Sequence, residues 1–561
     1  MSAPAEVRRA ADRQAPRTAR RTVLPSGTGA LVRLALRRDR IRLSVWTLLT
    51  LFLLISLVSG VAGTYDTAAE RLDYAGSIGG SAAAAAFSGP LYGLDTTGGI
   101  AVAESGTIVL LSVAVGSLLL AVRYTRTEEE TGRAELVAAA PVGRHAGLAA
   151  ALVVVGGGGL LIGAVSAALM ALTGLGAAGS VAFGLALTLV GWVFTGVGTV
   201  TAQVFQHART ATGAAAAVLG AALTLRAVGD AARVGGDGES GLGVLSWLSP
   251  LGWAFEIRPF AGERWWAAAL PLAAAMAAVA LAAALQRRRD VDAGLIPARH
   301  GSERAAPWLG SALGLAWRLQ RGALLGWGAG IALFAAAFGA FAVEMADMVS
   351  GDDSADVIVR LGGSGGALAD SWIAWTLSIA GMLAAVYAVA AVLRMRAEEA
   401  EQRAEPVLAT AVGRRGWAAG HLVVAALGAA AITLASGALV GLVHGLRAGD
   451  LGGQLPRVLG ASLVQIPAAL LMAGAAFAVV AFAPRLATAA WVLVVGALLL
   501  TQVGAALELS QAALNISPFT HTPKVPGSDV DAVPLLAFLG GAALLAAAGA
   551  HRIRHRDIGT A

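Results

Sequence analysis

About twelve long apolar runs, separated by short polar breaks, leave this chain few folds to choose from. A helix needs roughly 20 apolar residues to cross the hydrocarbon of a bilayer. Runs of that kind fall at 43–63, 103–123, 146–173, 178–203, 211–228, 266–286, 322–345, 371–393, 418–443, 457–482, 486–507 and 532–550. None alternates apolar with polar at the period of a barrel strand, so the pattern predicts an all-α polytopic membrane protein. Charge is correspondingly scarce: 14% of the 561 residues are charged and 57% are hydrophobic, against about 25% charged in soluble domains.

Arginine sets the expected orientation, because basic residues collect in cytoplasmic loops. Basic stretches lie at 33–42 ("RLALRRDRIR"), 207–209, 286–290, 414–415 and 551–557, whereas 65–100 and 349–370 are neutral or acidic. An even number of crossings then puts both termini in the cytoplasm. Residues 1–30, with Arg8, Arg9, Arg13, Arg17, Arg20 and Arg21 and no apolar periodicity, are expected to be a disordered tail near anionic headgroups. Arg20–Arg21 is not read as a twin-arginine export signal, since the first apolar run begins about twenty residues later and is long enough to span. Cysteine is absent, which excludes disulfides, zinc thiolates and a cysteine nucleophile.

One charged segment occurs twice. "RTEEETGRAELVAAAPVGR" (126–144) and "RAEEAEQRAEPVLATAVGR" (396–414) lie 270 residues apart and agree at eleven of nineteen positions. "LALRRDRIRLSVW" (34–46) likewise matches "LAWRLQRGALLGW" (315–327), Ser249–Pro250 matches Ser517–Pro518, and "RRRDV" matches "RHRDI" with Asp290 against Asp557. The chain is an internal duplication: a first half at 31–300 and a second at 301–561, each of six spans, joined by a polar linker near 287–312.

Both charged segments fall between the second and third spans of their halves, on the same expected face. Glu129 and Arg133, and equally Glu399 and Arg403, are four apart, the spacing of a helical ion pair. Glu128 and Glu135, and Glu398 and Glu405, are seven apart and share a helical face. The spacing predicts a short surface helix with a carboxylate stripe, interrupted in the second copy by Pro406. Such a helix is either a solvated turn or a docking surface. Its identity between copies, higher than that of the surrounding apolar runs, favours docking.

A phosphate loop for ATP needs a glycine frame ending in lysine. The only lysine is Lys524, in "HTPKVPG", and the run Gly156–Gly159 lies inside a span, where small residues allow close helix packing. The chain is therefore expected not to hydrolyse nucleotide by that mechanism.

Two six-span halves, a basic helix before the first span of each, an "EE…RAE…VGR" segment after the second and an "SP" segment before the last resemble the membrane subunit of an ABC exporter. Within that class the chain resembles the actinobacterial polyketide-antibiotic and multidrug exporter permeases of the tetronasin type, over about residues 31–561. The resemblance implies that two copies of a separate cytoplasmic ATPase subunit, which would bind ATP and Mg, dock on coupling helices at 126–144 and 396–414. The residues carried over are Arg126, Glu128, Glu129, Arg133, Glu135 and Arg144, and Arg396, Glu398, Glu399, Arg403, Glu405 and Arg414. Pro406 stands opposite Leu136 and Pro141 opposite Ala411, so the copies depart from one another in bending. The implied setting is the bacterial cytoplasmic membrane and the implied cargo an antibiotic or drug-like compound, with no cofactor held by this chain, no metal and no nucleic acid as partner.

A proton-driven secondary drug transporter is the alternative. Such carriers use ionisable groups within the membrane, whereas Glu104, Glu344, Asp347, Asp370 and Glu508 fall toward expected outer ends. A lipid- or glycan-modifying enzyme would need convergent acid, base or metal ligands; His145, His207, His421 and His444 are scattered singly. A cavity without midplane charge suits a hydrophobic or amphipathic compound, lipid included. Trp46, Trp192, Trp327 and Trp372 fit either ligand contact or interfacial anchoring. The segments 229–265 and 509–530 fit either caps over an exit or interfacial loops held by Trp and Pro.

Overall fold

The computed structural model describes residues 27–235, 241–290, 292–297, 303–347, 365–504 and 509–557. The expected basic residues between Arg8 and Arg21 and the acidic Glu508 lie outside the described residues, as do the side chains of Glu344 and Asp347 and the stretch 349–364. Helix begins at Thr28, inside the stretch expected as tail. The chain divides into two compact units, Met1–His300 and Gly301–Ala561.

The first unit has spans at Arg40–Thr64, Thr97–Val122, Ala146–Leu172, Ala177–Val204, Ala208–Gly235 and Ala269–Arg287. The second has Ala312–Asp347, Gly365–Ala400, Arg414–Arg447, a fourth span broken into Leu451–Leu463 and Ile466–Phe482, then Ala489–Val503 and Ala532–His555. The protein is thus an all-α polytopic membrane protein. Among the described residues, eleven helices are long and apolar enough to cross a bilayer. The remaining expected crossing, at 486–507, is the 15-residue helix Ala489–Val503. At 1.5 Å per residue it reaches roughly 22 Å, short of a bilayer core of about 30 Å.

Small residues set how closely the spans of the first unit pack. A Cβ on Gly163 would lie 2.3 Å from the carbonyl oxygen of Gly184, and one on Gly184 2.3 Å from that of Gly163, so the third and fourth spans touch backbone to backbone there. The run Gly156–Gly159 is used differently. Gly157 faces open space, whereas Gly158, with Gly116 of the second span, forms the slot that receives the Trp46 ring. Trp46 Nε1 donates to Ser112 O (3.3 Å) and Trp192 Nε1 to Gly156 O (3.0 Å). In the second unit Trp372 Nε1 donates to Phe338 O (2.9 Å) and Trp327 packs against the core. All four tryptophans are fixed by neighbouring helices.

Two segments differ from the sequence reading. Residues 65–100 contain helices Ala68–Ile78, opened by a Thr67–Glu70 capping box, and Ala82–Ser88. The fifth span was expected at 211–228 but continues to Gly235, which takes Asp230 and Arg233 into the helix beside Arg226. The stretch after it folds as a 3-10 helix, Leu242–Leu248, and a helix Pro250–Glu256. The Ser–Pro motif anchors this cap. Ser249 Oγ caps the helix and donates to Ala222 O of the fifth span (2.7 Å), as Ser517 Oγ donates to Ala497 O in the second unit (2.9 Å).

The Gly163–Gly184 contact yields a stability prediction. Gly184→Val forces the third and fourth spans apart and is expected to cost about 1–3 kcal/mol. A lowered thermal midpoint of the detergent-solubilised chain, absent for Gly157→Val, is the expected readout.

Candidate functional site

Each charged segment is the continuation of a second span. In the first unit the α-helix Thr97–Val122 passes into one π turn, Arg123–Thr127, then a further turn, Glu128–Glu130. It breaks at Gly132 (φ 70°) and restarts as Arg133–Ala138. In the second unit the span runs in α geometry through Glu399 to Ala400, and the break is at Gln402 (φ 58°), the position matching Gly132. Pro406 does not interrupt the second copy. It lies in the first turn of the helix Ala404–Leu408, where its missing N–H is not required. The left-handed residue also explains why the four-apart pairs Glu129–Arg133 and Glu399–Arg403 do not form: the helix ends between their members.

The acidic residues instead pair with other arginines, some within five residues and some elsewhere in the same unit. Glu129 is held by two guanidiniums. Arg289 bonds both of its oxygens (2.6 and 2.8 Å), and Arg126 approaches at 2.8 Å. Arg126 is fully buried and its other nitrogens donate to Ala202 O and Ala293 O, both at 3.0 Å. Arg289 also donates to Gln203 Oε1 (2.7 Å). One carboxylate thereby ties the end of the second span to the end of the fourth and to the segment after the sixth. Bidentate guanidinium–carboxylate contacts of this kind are the strongest of the charge-assisted hydrogen bonds. Glu128 accepts a bidentate pair from Arg38 (2.7 and 2.9 Å) with Arg133 at 3.6 Å. Glu130 caps the fifth span by accepting from Ala208 N (2.8 Å), beside His207. Arg144 donates to Gln286 O (2.9 Å) at the end of the sixth span.

The second unit repeats the clamp. Glu399 is bonded by Arg556, the counterpart of Arg289, and by Arg396 (3.2 Å), and Arg556 Nη1 donates to Val480 O of the fourth span (2.9 Å). Glu398 is paired with Arg394 (2.6 Å) and bidentately with Arg403 (3.0 and 3.1 Å). Arg414 donates to Arg556 O (2.8 Å), as Arg144 caps the corresponding helix end. Of the twelve residues singled out in the sequence, Arg126, Glu129, Arg144 and their counterparts Arg396, Glu399, Arg414 belong to these internal networks. Glu128 and Glu398 are also paired. Glu135 and Glu405 are exposed, Arg133 and Arg403 half so, and Leu136 is one of the most exposed apolar residues in the chain. The expected carboxylate stripe is therefore reduced to one outward glutamate per copy.

Sequence reasoning missed Arg289 and Arg556, although they adjoin the matched Asp290 and Asp557. It also missed Arg38 and Asp39. Asp39 opens the first span, pairing with Arg38, Arg42 and Arg123. Burial raises its carboxyl, but the hydrogen bond and charge of Arg123, with those of Arg38, outweigh this and hold it below the ordinary carboxylate range. Between the helix Thr28–Arg38, the charged segment and the start of the third span lies a cavity of about 440 Å³, lined by Leu31, Leu34, Arg38, Glu128, Val137 and Leu148 among others. His145, His207 and His421 each bond a separate partner, Gln286, Glu130 and Gln320. Among the described residues no group of three or more His, Asp or Glu is arranged to hold a metal.

Comparison with known proteins accords with this architecture. A family model described as "Multidrug efflux system permease Rv1217c, C-terminal domain" matches residues 309–554. The chain is 42% identical over 536 residues to the multidrug efflux system permease protein Rv1217c of Mycobacterium tuberculosis (strain ATCC 25618 / H37Rv), covering 95% of each.

Removing one member of the clamp leaves buried charge unpaired, which typically costs about 3–5 kcal/mol. Glu129→Ala and Arg289→Ala are each expected to lower the thermal midpoint strongly. The double variant is expected to lose less than the two singles together, a non-additivity that a double-mutant cycle measures.

Proposed function

The chain belongs to the family of multidrug efflux system permeases, and from that premise we propose that it is the membrane-spanning subunit of an ATP-driven exporter, powered by two copies of a separate ATPase subunit. The cargo is a hydrophobic or amphipathic drug-like compound, and the charged segments with both termini face the cytoplasm of a bacterial inner membrane. The observation that carries the reading is the duplicated segment itself. In each half a rigid clamped base leaves a short helix, Arg133–Ala138 or Ala404–Leu408, presenting Glu135 or Glu405 outward. A surface that must pass force into the membrane needs such a base. Closure of an ATPase pair on both segments would bias the halves between inward-open and outward-open states. ATP and Mg would be held by that partner, since the single lysine here has no glycine frame around it.

A proton-driven carrier would draw on Asp230, a buried acidic residue in the fifth span. It lies 22 residues beyond Ala208, roughly 33 Å along the helix, and thus near the far end of the span rather than at its middle.

The exposed glutamates separate docking from structure, because changing them leaves the clamps intact. Glu135→Arg or Glu405→Arg, alone, is expected to weaken co-purification of the ATPase subunit and to abolish efflux, with unchanged membrane insertion and thermal midpoint. Wild-type association and efflux with both reversed would overturn the docking reading. Orientation has its own check, aided by the absence of native cysteine. Ala134→Cys and Ala404→Cys are expected to resist an impermeant thiol reagent added outside intact cells.

A further inference from the structure

At the end of the first unit opposite its charged segment, a second set of ionisable groups is assembled by the fifth span and the cap that follows it. The inner layer is structural. Arg226, fully buried, donates to Ala86 O (2.8 Å) and Phe87 O (3.1 Å) at the end of the helix Ala82–Ser88, and lies 3.7 Å from Asp230.

The outer layer is organised differently. Glu256, 2% exposed, ends the cap helix. Its Oε1 takes Arg233 at 2.5 Å and Tyr92 Oη at 3.3 Å. Arg258 Nε and Arg264 Nη1 each stand 3.9 Å from Oε2, which accepts no hydrogen bond. The Arg258 guanidinium lies 4.2 Å over the Tyr92 ring. Three guanidiniums thus surround one carboxylate, a surplus of two positive charges. They line an open cavity of about 380 Å³ with Trp247 in its wall.

The cage is built with backbone that must be held in place. Arg258 and Phe260 both have positive φ (54° and 62°), a conformation that costs an L-residue roughly 1–2 kcal/mol. The Phe260 ring fixes the turn by filling a slot against Gly98 and Gly179, where a Cβ would come within 2.4 and 2.2 Å of it. The charges belong to the first half alone. Aligned on its Ser–Pro motif, the second half puts exposed Lys524 where Glu256 stands, and its stretch 509–531 has no arginine.

Beside the cage is an apolar ledge. Trp247 stacks on Trp266 at 6.1 Å, and Val244, Leu248, Trp265 and Trp266 are exposed where the 3-10 turn meets the start of the sixth span. Tryptophan at a span end marks the level of lipid headgroups, and guanidinium forks match phosphate oxygens. We propose that this cage binds the phosphate of an anionic phospholipid headgroup in the leaflet opposite the charged segment, with the acyl chains over the Val244–Leu248 ledge. The proposal rests on the fold alone and is independent of what powers transport.

The test uses the full chain in mild detergent, titrated with phosphatidylglycerol or phosphatidylcholine, with retained lipid counted by native mass spectrometry. The wild type is expected to retain phosphatidylglycerol selectively. Arg258→Gln with Arg264→Gln is expected to weaken that retention about tenfold, and Arg258→Lys with Arg264→Lys to restore part of it. Retention in the wild type should also fall as salt rises from about 0.05 to 0.5 M, a readout that needs no variant to fold. Phosphatidylglycerol retention that is indifferent to salt and to the glutamine pair would overturn the proposal. Displacement of the lipid by millimolar inorganic phosphate, with phosphatidylcholine held equally well, would overturn it in favour of a free-anion site.

Discussion

A glutamate at the end of a membrane helix, bonded by an arginine one turn before it and by a second from beyond the sixth span of its own half, is the contact on which the rest of each unit depends. Within the apolar layer small residues set how closely the spans approach, as Gly163 and Gly184 do. Glu129 accepts from Arg289 and Arg126, and Arg126 passes its remaining hydrogens to the fourth span at Ala202 and to Ala293 beyond the sixth. These bonds fix the register of three helix ends at once. The same geometry about Glu399, Arg396 and Arg556 shows that the arrangement is older than the duplication or was retained through it.

Much of this was legible in the sequence because the bilayer demands it. Most span positions followed from run length, the short helix in 486–507 and the end of the fifth span excepted, and the repeat was read from residues 126–144 against 396–414. The direction in which the glutamates face was not legible. The three residues that reverse the reading are Gly132, Gln402 and Arg289. A left-handed residue ends the helix before the four-apart pair can form, and Gln402 carries no compositional mark of that conformation. Arg289 lies 160 positions from its partner, so no local spacing reveals it. The identity between copies, read from the sequence as a docking signal, is accounted for in part by an internal clamp. Glu135 and Glu405 are exposed and stand outside that clamp. The cage about Glu256 was missed for a related reason. Its arginines are distributed over the fifth span and a loop whose fold cannot be read from apolar periodicity.

The halves have diverged beside the clamp as well as away from it. One π turn precedes the first segment, while the second continues in α geometry. Asp39 with its three arginines has Gln320 near its place in the repeat, bonded to His421. The cap of the first half carries charge that the second lacks. The clamp itself is thus common to both halves, while the contacts beside it and the charge of the cap are not.

The fifth span of the first half is fastened at both of these ends. Glu130 holds its first turn, and Arg226 and Arg233 join its last turns to the helix Ala82–Ser88 and to Glu256. A 28-residue helix is a rod of roughly 42 Å. Rotated by about 5° around its near end, such a rod sweeps its far end through roughly 3.7 Å, more than the length of a hydrogen bond. The bonds that Arg226 and Arg233 make at the far end would not survive such a sweep, so they hold the span to one angle.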